Sequence, residues 1–178
     1  MTSILEWLRA ARPADSSNRG DTDTVRRIVT ELDKLDSGRA RYLAAFAYVL
    51  SRVAGADLHI SEVETGKMVE LVQQIGHLPE VQAILVVEIA KSQQRLFGGT
   101  ENFLVTREFR EIASEQERQD LLQCLFAVAA ADAVISAEED SQLWQIAGEL
   151  GFTRQEFVQV RLAYSSQRTV LQPQRPDT

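Results

Sequence analysis

The 178-residue sequence has one cysteine, two histidines and four prolines, and these shortages exclude several kinds of protein. The lone Cys124 cannot form an intramolecular disulfide, and its place in an apolar helical pattern predicts a small buried core residue. His59 and His77 have no Cys or His at the spacing of a zinc site. No glycine-rich loop followed by lysine is present to hold a phosphate. The sequence therefore gives no reason to predict an enzyme.

Positive charge is also scarce, because 26 acidic residues stand against 19 basic ones and give a formal net charge of −7. Nucleic acid is not a predicted partner, since it needs clustered Lys and Arg. A cation or a basic protein partner suits the acidic balance better. No apolar run approaches the ~20 residues of a membrane span, and the N-terminus lacks the layout of a signal peptide. We expect a cytoplasmic protein, whose oligomeric state the sequence leaves open.

The most informative stretch occurs twice, 75 residues apart. Residues 54–64 and 129–139 share an aspartate, an isoleucine, a serine and a final glutamate. These are Asp57, Ile60, Ser61 and Glu64 in the first copy, and Asp132, Ile135, Ser136 and Glu139 in the second. Each serine is a predicted N-cap, and the glutamate three residues later completes a capping box. Each copy therefore predicts a helix, a tight turn and a second helix.

Apolar residues recur at helical spacing along most of the chain from Thr24 onward. Asp23 is the predicted N-cap of the first helix in this region, and further capping boxes are predicted at Ser114 and Thr153. The second helix of each copy is predicted to end at a left-handed glycine, Gly76 or Gly151. The predicted architecture is all-α, a compact bundle of seven to eight helices built from two three-helix units related by a pseudo-twofold axis.

The chain divides into three predicted segments. Residues 1–23 are a short amphipathic helix (3–11) followed by a flexible linker (12–23), residues 24–166 are the helical domain, and residues 167–178 are a disordered tail. The segment 3–11 is predicted to dock on the body of the protein. Contact with a partner or a peripheral contact with a membrane surface is the alternative.

Capping does not explain the aspartate that lies four residues before each serine. This aspartate is predicted to lie near the C-terminal end of the incoming helix, where negative charge is unfavourable. A calcium site needs about six to eight oxygens, and one turn offers too few. If the two turns meet, four carboxylates come together and repel each other unless a cation intervenes. They are Asp57, Glu64, Asp132 and Glu139. The alternative is that each turn only caps a helix and reverses the chain, with the two turns far apart.

The pattern Ala-x-Ala-Asp-x-x-Ile-Ser-x-x-Glu, present twice in a helical chain of this size, resembles the TerB-like family. That family includes tellurite-resistance protein B and the N-terminal domains of some membrane-anchored DnaJ-type co-chaperones. The resemblance covers about residues 24–165. It implies a helical bundle whose acidic residues bind a divalent cation, and a non-catalytic binding module in a bacterial stress system. Family turns often have Gly after the Asp, where this chain has Leu58 and Ala133.

Two functions follow from these observations. The first is a TerB-like module that binds calcium or magnesium weakly at Asp57, Glu64, Asp132 and Glu139, together with a protein partner. The alternative is a metal-free structural or interaction bundle that docks through its N-terminal amphipathic helix.

Overall fold

The computed structural model describes residues 19–54, 61–96, 102–131 and 135–164. All regular elements in these ranges are helices, and there are eight of them. They are α1 (Arg19–Asp33), α2 (Ser37–Ser51), α3 (Glu62–Gln74), α4 (Glu80–Leu96), α5 (Asn102–Ile112), α6 (Glu115–Ala130), α7 (Ala137–Glu149) and α8 (Arg154–Ala163). The predicted all-α bundle is confirmed. The pseudo-twofold relation between its halves stays a prediction.

Two helices, α2 and α6, form the centre of the bundle. Residues 42–51 of α2 are all buried, and α6 buries most of its length after Asp120. A helix that is apolar all round has to be covered on every side. The six outer helices provide this cover, because α1, α4 and α5 pack on α2 while α3, α7 and α8 pack on α6. Cys124 is fully buried in α6, as its sequence context predicts.

Local capping sets most of the helix starts. The four predicted capping boxes are all present, at Ser61, Ser114, Ser136 and Thr153. The prediction for the first helix is wrong, because α1 begins at Arg19 and Asp23 lies within it. Residues 19–23 thus belong to a helix instead of the predicted linker. The predicted segment 3–11 and the tail 167–178 lie outside the described residues.

The end of α3 differs from the sequence prediction. Gly151 is left-handed as predicted, with a φ of 88°, but the left-handed residue after α3 is His77, with a φ of 53°, and not Gly76. Gly76 is needed for a different reason. A Cβ at this position would lie 2.5 Å from the carbonyl oxygen of Val72 and 3.2 Å from both Cys124 Sγ and Phe46 Cζ. The glycine therefore allows α3 to end tightly against the two central helices.

A buried ion pair joins the end of α2 to α7. Arg52 caps the C-terminus of α2, and its guanidinium donates hydrogen bonds to both carboxylate oxygens of Glu149 and to the hydroxyl of Thr106 in α5. The side chains of Arg52 and Glu149 are only 5% and 8% exposed. Burial by itself raises the pKa of Glu149, but the hydrogen bonds and charge of Arg52 outweigh it and leave the pKa lowered. The carboxylate is therefore ionised and paired at neutral pH.

Two glycine-to-alanine substitutions test the packing at the end of α3. Gly76→Ala should destabilise the protein by about 1–3 kcal/mol, because the added methyl meets backbone and core atoms. The control, Gly66→Ala, adds the same methyl inside α3 where nothing lies within 4 Å. It should stabilise the helix by roughly 0.5–1 kcal/mol. Urea unfolding of the two variants measures both effects, and equal stabilities would contradict the packing argument.

Removing one member of the ion pair should be far more damaging than removing both. Arg52→Met leaves Glu149 buried without its partner and should cost about 3–5 kcal/mol. Arg52→Met combined with Glu149→Met should recover most of this loss, because two apolar side chains leave no unpaired charge. Since the folded pKa of Glu149 is lowered, the pair stabilises above pH 4.5 and its contribution is lost as the pH falls through the folded value.

Equilibrium urea unfolding of the three proteins between pH 7 and acid conditions measures these differences. The difference in the free energy of unfolding between the wild type and Arg52→Met should become smaller as the pH is lowered. A double variant that is as unstable as Arg52→Met would contradict this account of the pair.

Candidate functional site

In the order of the chain, each acidic turn connects a central helix to an outer one. The first follows α2 and precedes α3, and the second follows α6 and precedes α7. Asp57 and Asp132 lie outside the described residues, so their positions stay predictions. Glu64 and Glu139 are described, and each lies in the first turn of the helix that leaves the turn.

Glu64 and Glu139 make matching contacts. The N–H of Ser61 donates to Glu64 Oε2 at 2.6 Å, and the N–H of Glu64 donates to Ser61 Oγ at 3.2 Å. In the second copy the corresponding distances, between Ser136 and Glu139, are 2.7 and 3.2 Å. The helices that follow, α3 and α7, are both 13 residues long. The two copies therefore share their capping geometry and the length of the helix that follows.

The capping box at Ser61 keeps the Glu64 carboxylate charged. The hydrogen bonds from the Ser61 side chain and backbone lower the pKa of Glu64 below its ordinary value of 4.5. The first turn of α3 carries Glu62 as well, and that of α7 carries Glu138 and Asp140 beside Glu139. Negative charge is favourable at a helix N-terminus. The predicted capping role of Glu64 and Glu139 is thus confirmed, while their role as metal ligands stays a prediction.

A direct contact connects the C-terminal end of α2 to α7. The side-chain amide of Gln142 in α7 donates to the backbone carbonyl of Arg52 at 2.6 Å. Arg52 precedes Asp57 by five residues, and Gln142 follows Ser136 by six. The Arg52–Glu149 pair adds a second link between the same segments. The chain that enters the first acidic turn is therefore fixed against the helix that leaves the second one.

Within the ranges that the structure describes, no group of three or more His, Cys, Asp or Glu side chains is arranged to hold a metal ion. His77 instead contacts a carboxylate, with its Nδ1 lying 3.1 Å from Asp120 Oδ2. The other oxygen of Asp120 accepts a hydrogen bond from Gln116. Asp120 is only 5% exposed, and the contact attaches the α3–α4 connection to α6. His59 lies outside the described residues.

Sequence reasoning missed the buried charges Arg52, Glu149 and Asp120. Arg52 and Glu149 are 97 residues apart, and neither belongs to the repeated motif. Acidic residues in helices are mostly exposed. The spacing of apolar residues therefore indicates a solvent-exposed position for Asp120. No local signal identifies these residues, because burial and pairing are set by helices that are distant in the sequence.

None of the described helices is long and apolar enough to cross a membrane. The class of protein that this geometry defines is an all-helical bundle in which matching capping boxes, at Ser61 and Ser136, start two outer helices. The chain belongs to the family of tellurite resistance protein TerB, whose family profile matches residues 42–162. The match begins in α2, ends in α8 and includes both acidic turns. Comparison with curated proteins and with solved structures gives no significant match.

The capping serines offer a test of the local geometry. Ser61→Ala and Ser136→Ala should each destabilise the protein by about 0.5–2 kcal/mol, because an N-terminal backbone donor loses its acceptor. Ser141→Ala is the matched control, since the Ser141 hydroxyl bonds only to the Ala137 carbonyl within α7. This change should be close to neutral. Thermal unfolding in which all three variants match the wild type would disprove the contribution of the caps.

Proposed function

We propose that the chain is a non-catalytic, cytoplasmic TerB-like module that binds a divalent cation weakly at its paired acidic turns and also binds a protein partner. The proposed ligands are Asp57, Glu64, Asp132 and Glu139. The family match supports a tellurite-resistance-like module. The observation that carries the metal proposal is the hydrogen bond from Gln142 to the carbonyl of Arg52, because it holds the entrance of the first turn against α7.

The described residues suit a hard cation in their chemistry. Glu64 and Glu139 each use Oε2 to accept the serine N–H, and their Oε1 atoms make no hydrogen bond within the described residues. Each carboxylate is thereby oriented while one oxygen is left as a ligand. Oxygen donors are what calcium and magnesium prefer, and a flexible set of carboxylates favours calcium because magnesium requires stricter octahedral geometry. A bound cation would offset the repulsion between the carboxylates of the two turns.

The protein partner proposed here has a basic surface. The net charge of −7 and the carboxylates in the first turns of α3 and α7 support this choice. A cation at the turns would change the charge that such a partner meets. Partner binding should therefore depend on calcium or magnesium, and a pull-down with and without these ions measures that dependence. The proposed setting is a bacterial stress response.

Metal titration tests the shared site. In the wild type the melting temperature should rise with calcium across a millimolar range, because a ligand that prefers the folded state stabilises it by mass action. Magnesium should give a smaller rise. Asp57→Asn combined with Asp132→Asn should abolish the response without destabilising the metal-free protein, since it removes repulsion.

A matched control removes the same amount of charge elsewhere. Glu70 in α3 and Glu111 in α5 are both exposed, and the variant with Glu70→Gln and Glu111→Gln should keep the full calcium response. Melting curves of the wild type that stay flat in both metals would refute the shared site. The metal-free interaction bundle, which docks through residues 3–11, would then be the better explanation of the chain.

A further inference from the structure

A cleft of about 350 Å³ lies at the N-terminal ends of α2 and α6. Its walls come from the N-terminal part of α2 and from the start of α6, with Gly38, Arg39, Arg41 and Tyr42 on one side and Glu117 on the other. The turns follow the C-terminal ends of the same two helices. Since α2 has 15 residues, it separates the cleft from the first turn by roughly 22 Å. The cleft is therefore distinct from the proposed metal site.

Tyr42 is the informative residue in this cleft. It is only 6% exposed, and its ring packs against Phe46 and Phe109. Its hydroxyl nevertheless makes no hydrogen bond within the described residues, and the hydroxyl oxygen keeps some contact with solvent. Burial, with the charge of Glu117 as a second cause, raises the pKa of Tyr42, so the hydroxyl stays protonated as a donor. Buried hydroxyls normally have a partner, and here the cleft is where one can bind.

The two arginines of the cleft leave further donors unused. Arg39 uses Nε and Nη2 on the side-chain oxygen of Gln82, a neutral group, and its guanidinium lies 4.8 Å from the centre of the Tyr42 ring. Its Nη1 only approaches Glu117, at 4.0 Å. Arg41 uses Nε and Nη2 on Glu108, which leaves its Nη1 without a hydrogen bond in the described part of the chain.

Each acidic residue of the cleft has one carboxylate oxygen in use. Asp36 accepts the backbone N–H of Arg39 as the N-cap of α2, and Glu117 accepts the N–H of Ser114 in a capping box. Gly38 lies in the first turn of α2, where the backbone N–H has no intrahelical acceptor. The cleft therefore offers more free donors than free acceptors, and a complementary ligand supplies oxygen acceptors.

We propose that this cleft binds a small organic carboxylate, held by Arg39, Arg41 and the hydroxyl of Tyr42. A planar carboxylate matches the fork of a guanidinium, and the buried aromatic ring suits a carbon skeleton. The nearby carboxylates of Asp36 and Glu117 oppose phosphate, whose charge is concentrated on one group, more strongly than succinate, whose two carboxylates are separated by a carbon chain. The volume lies at the lower end of the range for small-molecule sites.

Succinate titration of the full-length protein at constant ionic strength tests the proposal, with inorganic phosphate as the second arm. Amide NMR shifts at Gly38, Arg39 and Tyr42 should change and saturate with succinate.

Tyr42→Phe should weaken binding by about three- to tenfold, as expected for one lost hydrogen bond, and should leave stability unchanged. Arg39→Gln should weaken it by about tenfold or more. The controls Tyr164→Phe and Arg26→Gln make the same chemical changes away from the cleft and should bind as the wild type does.

Three results would overturn the proposal. The first is the absence of saturable shifts with succinate in the wild type. The second is unchanged succinate affinity in both Tyr42→Phe and Arg39→Gln. The third is binding of phosphate at least as tight as that of succinate, which would replace a carboxylate site with a phosphate site. The result does not depend on whether the acidic turns bind metal, because neither Tyr42 nor Arg39 is a proposed metal ligand.

Discussion

The buried pair between Arg52 and Glu149 is the constraint on which the arrangement of the two halves depends. Two charges removed from water repay their desolvation only when their geometry is good. Arg52 meets this condition with both Nη atoms, while its buried Nε has no hydrogen-bond partner within the described residues. Thr106 takes part in that geometry, so the pair fixes α2, α5 and α7 at one point. A shift of α7 along α2 would leave a charge buried without a partner. The pair therefore selects one register between the first acidic turn and the helix that follows the second.

The core alone would not give this specificity. The central helices α2 and α6 bury apolar side chains on nearly every face, and such burial stabilises many similar packings because it is not directional. Directional contacts choose among them. Besides the ion pair, the carbonyl of Arg52 accepts from Gln142, and the contact of His77 with the buried Asp120 attaches the α3–α4 connection to α6. These contacts are few, but each joins segments that are far apart in the sequence.

The same two central helices carry both candidate sites at opposite ends. Their C-terminal ends lead into the acidic turns, and their N-terminal ends form the cleft around Tyr42. The two proposals thus assign a cation to one end of this helix pair and an anion to the other.

The sequence by itself determined the features that depend on a few neighbouring residues. The all-helical fold follows from apolar spacing, and all four predicted capping boxes are present because a capping box involves only the N-cap and the residue three positions later. Of the four proposed metal ligands, the sequence placed Glu64 and Glu139 correctly at the helix starts.

Tertiary structure decided the remaining features. Gly76 is a glycine because Val72, Phe46 and Cys124 leave no space for a Cβ, and His77 takes the left-handed position in its place. Arg52, Glu149 and Tyr42 acquire their roles only through helices distant in the sequence, since burial and pairing are properties of the packed bundle.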